Sequence, residues 1–276
     1  LISLTFYVLA GLDNKTNYNS EAAIKYFIIG AIASGLLVFG ISLIFNASGS
    51  INLSEIKLLL LYSNEYLTDI VKNQIIMGLI FIIIGLFIKL AAAPFHMWAP
   101  DVYEGVPLHI MLIYMIIPKI SFIYILINIY LYIFIYFPFI WTFLCITSGL
   151  LSVIWGTFAA IGQQKIKRLL AYSSITHVGF MLLGLSNVSI KSLSIVIFYL
   201  FIYLITTLGI MSYIINLKCK DGNQITTISQ LKFIFPRYKT MSYLFSSLIF
   251  SIAGIPPLAG FFAKLLIINE LVINSF

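Results

Sequence analysis

Charge is what this sequence has least of. Only 9% of its 276 residues are charged, against roughly a quarter in a soluble domain. So few charges cannot cover a water-facing surface, and a soluble globular protein is excluded. Cysteine is nearly absent as well. Cys145 falls in an apolar run and Cys219 in a loop, which leaves no disulfide framework, no zinc spacing and no cluster for iron–sulfur. The three histidines, His96, His109 and His177, are not paired for haem. No glycine-rich phosphate loop follows a strand, so neither a nucleotide nor a flavin has a visible site. The formal charge of +7 is not gathered on a soluble module, which argues against nucleic acid as a partner. No basic flank, apolar core and small-residue cleavage site occur together, so no removable signal or transit peptide is expected.

What is there is apolar: 61% hydrophobic residues and a mean hydropathy of +1.07. The fold class this implies is an all-α polytopic membrane protein, with lipid around it. Hydropathy marks a single transmembrane domain over 1–276. It has a partial span at 1–12 and spans at 21–46, 74–100, 108–136, 139–162, 165–186, 190–216 and 240–273, with a polar loop at 47–73. "LISLTFYVLAGL" is about half the ~20 residues a crossing takes. Together with a first residue that is Leu1, it suggests an unusual start codon or a piece of something longer. Of the sixteen Lys and Arg residues, nine fall in loops on one side, three in loops on the other, and Lys25, Lys89, Lys119 and Lys264 within spans. By the positive-inside rule, the loops at 13–20, 101–107, 163–168 and 217–239 face the cytoplasm or matrix. Abundant Ile, Phe, Tyr, Asn and Lys match AT-rich coding of the kind found in organelle genomes.

The informative residues are the charged ones inside the membrane. A lysine near the bilayer centre costs about 2.5–3.5 kcal/mol on insertion scales, so three facing lipid would cost on the order of 8–10 kcal/mol. Lys89, Lys119 and Lys264 are therefore expected to face the interior or a hydrated cavity. Burial disfavours a charged ammonium, which is what allows such a group to trade its proton. Each lies near a proline: Pro94, Pro118, and Pro256 with Pro257. Proline removes a backbone hydrogen bond, and broken helices at membrane depth occur where backbone lines a cavity. These four prolines are read as helix breaks, with simple kinks as the alternative.

Lys25 is open between a relay and an interfacial anchor, with Glu21 as its i,i+4 partner. His177, near mid-membrane, suits a proton shuttle or a hydrogen bond that ties two helices. His96 is expected to be structural rather than a link from the relay to water, and His109 to mark the interface. Asp101 and Glu104, in "PDVYEG", are expected to serve turn and helix-cap chemistry in preference to proton entry. "ISQLKFIF" in the 217–239 loop fits a short interfacial helix.

Three long stretches carry a resemblance: "GLFIKLAAAPFHMWAPDVYEGVP", "GQQKIKRLLAYSSITHVGFMLLGL" and "SIAGIPPLAGFFAKLLI". With "SEAAIKYFIIGAIASGLLVFGISLIF" and the "PKIS" around Lys119, they resemble subunit 2 of NADH:ubiquinone oxidoreductase, respiratory complex I, in order from about residue 3 to 270. The resemblance implies an antiporter-like bundle of about fourteen helices in two inverted repeats, each with one discontinuous helix. Here these would be 74–100, broken near Ala91–Pro94, and 240–273, broken at Gly254–Pro257. It assigns relay lysines to positions matching Lys89, Lys119 and Lys264, and places His177 on the same hydrated axis. The family's first four helices, its last two and a glutamate that partners the lysine matching Lys89 have no counterpart in this sequence. A split gene is therefore expected, with a separate chain supplying the N-terminal helices and the glutamate.

The function this implies is proton translocation as a non-redox membrane-arm subunit of the complex, in the mitochondrial inner membrane and part of an electron transport chain. The relay would be driven by quinone reduction elsewhere. The chain itself would bind no cofactor; NADH, FMN, iron–sulfur clusters and ubiquinone would belong to other subunits. The alternatives are a secondary cation/proton antiporter and a scaffold subunit that has lost pumping.

Overall fold

A computed structural model describes residues 2–11, 17–63, 68–187, 189–217, 225–231 and 239–274. The described residues are almost wholly helical: α1 Ile2–Gly11, α2 Asn17–Ser48, α3 Leu53–Ser63, α4 Asp69–Leu90, α5 Trp98–Gly105, α6 Leu108–Tyr132, α7 Pro138–Ile161, α8 Ile166–Ser186, α9 Ile190–Asn216, α10 Ile228–Leu231, α11 Lys239–Ala253 and α12 Ala259–Asn274. Six of them, α2, α4, α6, α7, α8 and α9, are long and apolar enough to cross a membrane. The segment expected as a span at 240–273, interrupted at Gly254–Pro257, consists of two helices of 15 and 16 residues on either side of that stretch, each short of the ~20 a crossing takes.

The outer surface carries large apolar side chains such as Val38, Phe143, Phe158 and Ile161, all more than half exposed. A monomer in water rarely leaves so much apolar surface open; against lipid it costs nothing. Because lipid is as apolar as the side chains, close packing must hold the helices together, and small residues permit it. A Cβ on Gly78 of α4 would lie 2.8 Å from the Gly40 carbonyl oxygen of α2, and one on Gly179 of α8 would lie 2.8 Å from that of Gly149 on α7.

Two sequence expectations change. The 47–73 loop contains α3, because Ile56 and Leu60 recur at i,i+4 and bury against the core. Pro118 does not break its helix: α6 runs through it. Proline lacks the N–H that would meet the carbonyl four residues earlier, here that of Tyr114. The Tyr103 hydroxyl donates to this carbonyl at 3.4 Å instead.

α4 ends at Leu90, and the turn that follows is held by side chains. Ala91 takes a left-handed conformation, φ 58°, and ends the helix. The Trp98 indole N–H then donates to the Ile88 carbonyl at 2.9 Å, and Ser152 Oγ of α7 accepts from the Ala93 N–H at 2.8 Å. Between α11 and α12, Gly254 at φ +87° makes the corresponding turn, with Pro256 and Pro257 in the connecting segment.

At one end of the bundle, loops far apart in sequence meet. Ile166 N–H donates to Thr226 O at 3.0 Å and Ile228 N–H to Gln164 O at 3.1 Å. The 101–107 segment joins them through the ion pairs described below. The basic residues Lys15, Lys218, Lys220, Lys232 and Arg237, with Cys219 and residues 232–235 of the expected interfacial helix, lie outside the described residues; α10 covers only Ile228–Leu231 of that helix.

Candidate functional site

The titratable groups inside the bundle form a row. At one end, Lys89 of α4 lines an apolar cavity of about 330 Å³ between α1, α2, α4 and α6, walled by Phe6, Tyr26, Trp98 and Phe122. Its Nζ lies 5.7 Å from the Phe122 ring centroid. A second cavity, about 10 Å³, is shared by Lys89, Lys119, Tyr26, Trp98 and Tyr114.

Lys119 of α6 is 2% exposed. Its ammonium donates to the Tyr203 hydroxyl of α9 at 2.8 Å and lies 4.9 Å from the centre of the same ring. Tyr203 in turn packs against the His177 ring of α8, centroid to centroid 5.1 Å. His177 Nδ1 shares a hydrogen bond of 2.7 Å with the Tyr199 hydroxyl. A third cavity, also about 10 Å³, joins His177, Tyr199 and Tyr203 to Ser251 and Lys264.

Lys264 of α12 reaches back to the end of α11, donating to the Ile252 carbonyl at 2.7 Å and that of Ala253 at 3.1 Å. These carbonyls lose their helical partners where the helix stops, so the lysine caps the break. Among the described residues, no carboxylate pairs with Lys89, Lys119 or Lys264.

Shared cavities and contacts thus connect Lys89 to Lys119, Lys119 through Tyr203 to His177, and His177 to Lys264, and leave Lys25 out. Lys25 pairs with Glu21 at 2.7 Å and with Asp101 at 2.8 Å. It lines a polar cleft of about 200 Å³ with Glu104 and Arg168. Arg168 bonds Asp101 at 2.7 Å and Glu104 at 2.5 Å; Lys165 also bonds Glu104.

Asp101 and Glu104 are therefore not helix caps. The residue preceding α5 is Met97, and no side chain caps it. Three cations, Lys165, Lys167 and Arg168, crowd the start of α8, where the helix dipole disfavours positive charge, and the α5 carboxylates neutralise them. His96 is buried and stacks at 6.4 Å on Trp155, while His109 sits exposed at the start of α6.

Burial opposes ionisation of Asp101, but Lys25 and Arg168 outweigh it and hold the carboxyl below its usual range. A depressed carboxylate stabilises the fold fully above its unfolded value, about 3.9. That contribution fades as pH falls through the folded value. Since these side chains are over a third exposed, solvent limits the effect to about 1 kcal/mol. Melting curves of Asp101→Asn should therefore lie below wild type at pH 7, with the gap closing below about pH 4. A gap independent of pH would contradict this account.

Sequence reasoning missed Tyr199 and Tyr203. Their signal was available: with Thr206 and Thr207 they place polar groups at i, i+4 and i+7/i+8 on one face of α9, the spacing of an inward stripe.

Residues 1–275 match the family described as NADH:quinone oxidoreductase/Mrp antiporter, TM. NADH-quinone oxidoreductase subunit N of Pelagibacter ubique is 40% identical, over 100% of this chain and 56% of the relative. Subunit N 1 of Rhizobium meliloti is 39% identical, over 96% and 54%. These relatives are bacterial and are subunit N, where the motifs had pointed to subunit 2. Among solved structures, a chain of respiratory complex I from Thermus thermophilus with bound aureothin superposes with a TM-score of 0.78 at 29% identity, over 98% of this chain and 56% of that one. A chain of the Mrp complex from Dietzia sp. DQ12-45-1b shares the fold, with a TM-score of 0.83 at 21% identity, over 99% and 49%. The chain spans a little over half the length of the relatives it matches. The chain therefore belongs to the NADH:quinone oxidoreductase/Mrp antiporter family of transmembrane proteins.

Proposed function

We propose that the chain is a proton-translocating, non-redox membrane-arm subunit of NADH:quinone oxidoreductase, and that Lys89, Lys119, His177 and Lys264 carry the protons. The observation behind this reading is the row itself: four titratable groups in an apolar bundle, none of the lysines paired with a carboxylate among the described residues, linked by tyrosines and small cavities. A fixed ion pair would hold its proton; a lysine held only by neutral groups can release one. The two interruptions turn backbone groups towards side chains of the bundle, Trp98 and Ser152 at one and Lys264 at the other, as ion-carrying bundles do.

In this reading, quinone reduction elsewhere in the complex drives changes in charge and hydration along the row. The chain binds no cofactor, and its partners are lipid and the other membrane-arm subunits. A separate chain supplies the N-terminal helices, and a carboxylate side chain from one of them enters the cavity beside Lys89. The membrane is an energy-transducing one, and the composition bias favours the mitochondrial inner membrane.

The test is Lys89→Ala in the assembled complex in liposomes, reading protons moved per electron. A lowered ratio with quinone reduction retained is the expected result. An unchanged ratio would remove Lys89 from the relay. Sodium-dependent proton flux without NADH would replace the reading with a secondary antiporter.

A further inference from the structure

Tyr203 stands between two compartments of the row. On one side lies the cavity shared by Lys89 and Lys119; on the other lies the cavity of His177 and Lys264. Each is about 10 Å³, room for no more than about one water. The buried Tyr203 ring lines the second cavity and meets the first through Lys119, whose ammonium lies 4.9 Å from its centre, while the His177 ring is 5.1 Å away. A proton on Lys119 and a proton on His177 therefore face the same phenol from different helices.

The hydroxyl has one hydrogen and two partners. It accepts from Lys119 at 2.8 Å, and it donates to the Met115 carbonyl at 3.3 Å. When Lys119 is an ammonium, this is the only consistent arrangement, because an ammonium has no lone pair to accept with. When Lys119 is a neutral amine, its lone pair can take the phenol hydrogen. The O–H then turns towards Nζ and gives up the Met115 carbonyl. The same hydroxyl thus binds Lys119 in both states, with its hydrogen pointing in opposite senses.

We propose that Tyr203 is the gate of the row. Its ring seals the Lys119 compartment from the His177–Lys264 compartment, and its hydroxyl holds Lys119 in both protonation states, turning its hydrogen between the Met115 carbonyl and Nζ as the lysine's protonation changes. It is a positioning residue: no bond to the phenol hydrogen breaks, and the transferred proton moves between Lys119 and the far compartment when the ring yields. The charged and titratable groups around it are Lys119 from α6, His177 from α8, Tyr199 one turn away on α9, Tyr103 from α5, and Lys264 from α12 across the cavity.

The inference rests on the proton-relay reading, so Lys119→Ala serves as its reference. In the assembled complex reconstituted in liposomes, Tyr203→Phe keeps the ring and removes the latch. Quinone reduction should persist, the protons moved per electron should fall to the Lys119→Ala level, and the pH at which the ratio declines should shift. Tyr203→Ala opens the septum, and an imposed proton gradient should then dissipate several-fold faster without NADH. If that variant does not assemble, Tyr203→Leu is read in the same leak assay.

A Tyr203→Phe complex with wild-type ratio and pH profile, beside a defective Lys119→Ala, overturns the gate alone. Wild-type tightness of the septum variant also overturns it. A normal ratio in Lys119→Ala overturns both gate and relay.

Discussion

Lys119→Ala should stop proton transfer through this chain while the complex stays assembled. Lys119 is the sole ionisable side chain facing Tyr203 from α6, and it is 2% exposed. Without it, a proton passing from the Lys89 cavity towards His177 crosses a dry interval with no carrier. An uncompensated charge in such surroundings costs several kcal/mol. At 1.4 kcal/mol per factor of ten, the transfer rate should fall on the order of a thousandfold. Stability should change little, because two terms oppose. Losing three buried methylenes costs about 2.4 kcal/mol, and removing a charge from the membrane interior returns about 2.5–3.5 kcal/mol. The Tyr203 hydroxyl keeps the Met115 carbonyl, so no buried polar group is orphaned. Normal assembly with a lowered proton-to-electron ratio is the expected measurement; a wild-type ratio would reject the role.

Lys264 has two tasks that two substitutions separate. Its ammonium caps the Ile252 and Ala253 carbonyls at the end of α11, and it lines the cavity with His177. Lys264→Ala removes cap and carrier together. The part-buried Ile252 carbonyl left unpaired costs about 1–3 kcal/mol, so this variant should melt a few degrees lower and transfer no protons. Lys264→Arg keeps the donors and the charge, yet a guanidinium does not release its proton at any physiological pH. Near-normal melting with translocation lost is expected. Normal translocation in the arginine variant would make Lys264 a fixed cap of the broken helix and nothing more.

How much of this was legible in the sequence depends on the residue. That Lys89, Lys119 and Lys264 turn inward needed only the cost of a charge in lipid, which each residue carries with it. The ends of α7, α8 and α9 at Ile161, Ser186 and Asn216 fall within a residue of the hydropathy boundaries, since apolar length is a local quantity too. Pro118 was misread for the opposite reason. A missing N–H is local, but the group that replaces it, Tyr103, lies fifteen residues away on a helix of its own. Asp101 was read as a cap because a carboxylate near a helix end usually is one; its partners, Lys25 and Arg168, come from α2 and α8.

Lys25 could not be decided at all from sequence. Snorkelling and relay both need a lysine near a span end, and only the Asp101 contact places it in the polar cleft. Tyr203 is the clearest case. Its stripe on α9 showed that a polar face turns inward, but nothing in the stripe says which helix it meets.

By itself the sequence determined that this is a bundle of apolar helices with three lysines turned away from lipid, because transfer free energies attach to residues one at a time. The tertiary structure alone decided that Lys119 meets Tyr203, that Tyr203 meets His177, and that Lys25 stands apart. Hydrogen bonds and ring contacts act over a few ångströms, and the groups that make them are brought there by helices whose order in the chain says nothing about which faces meet.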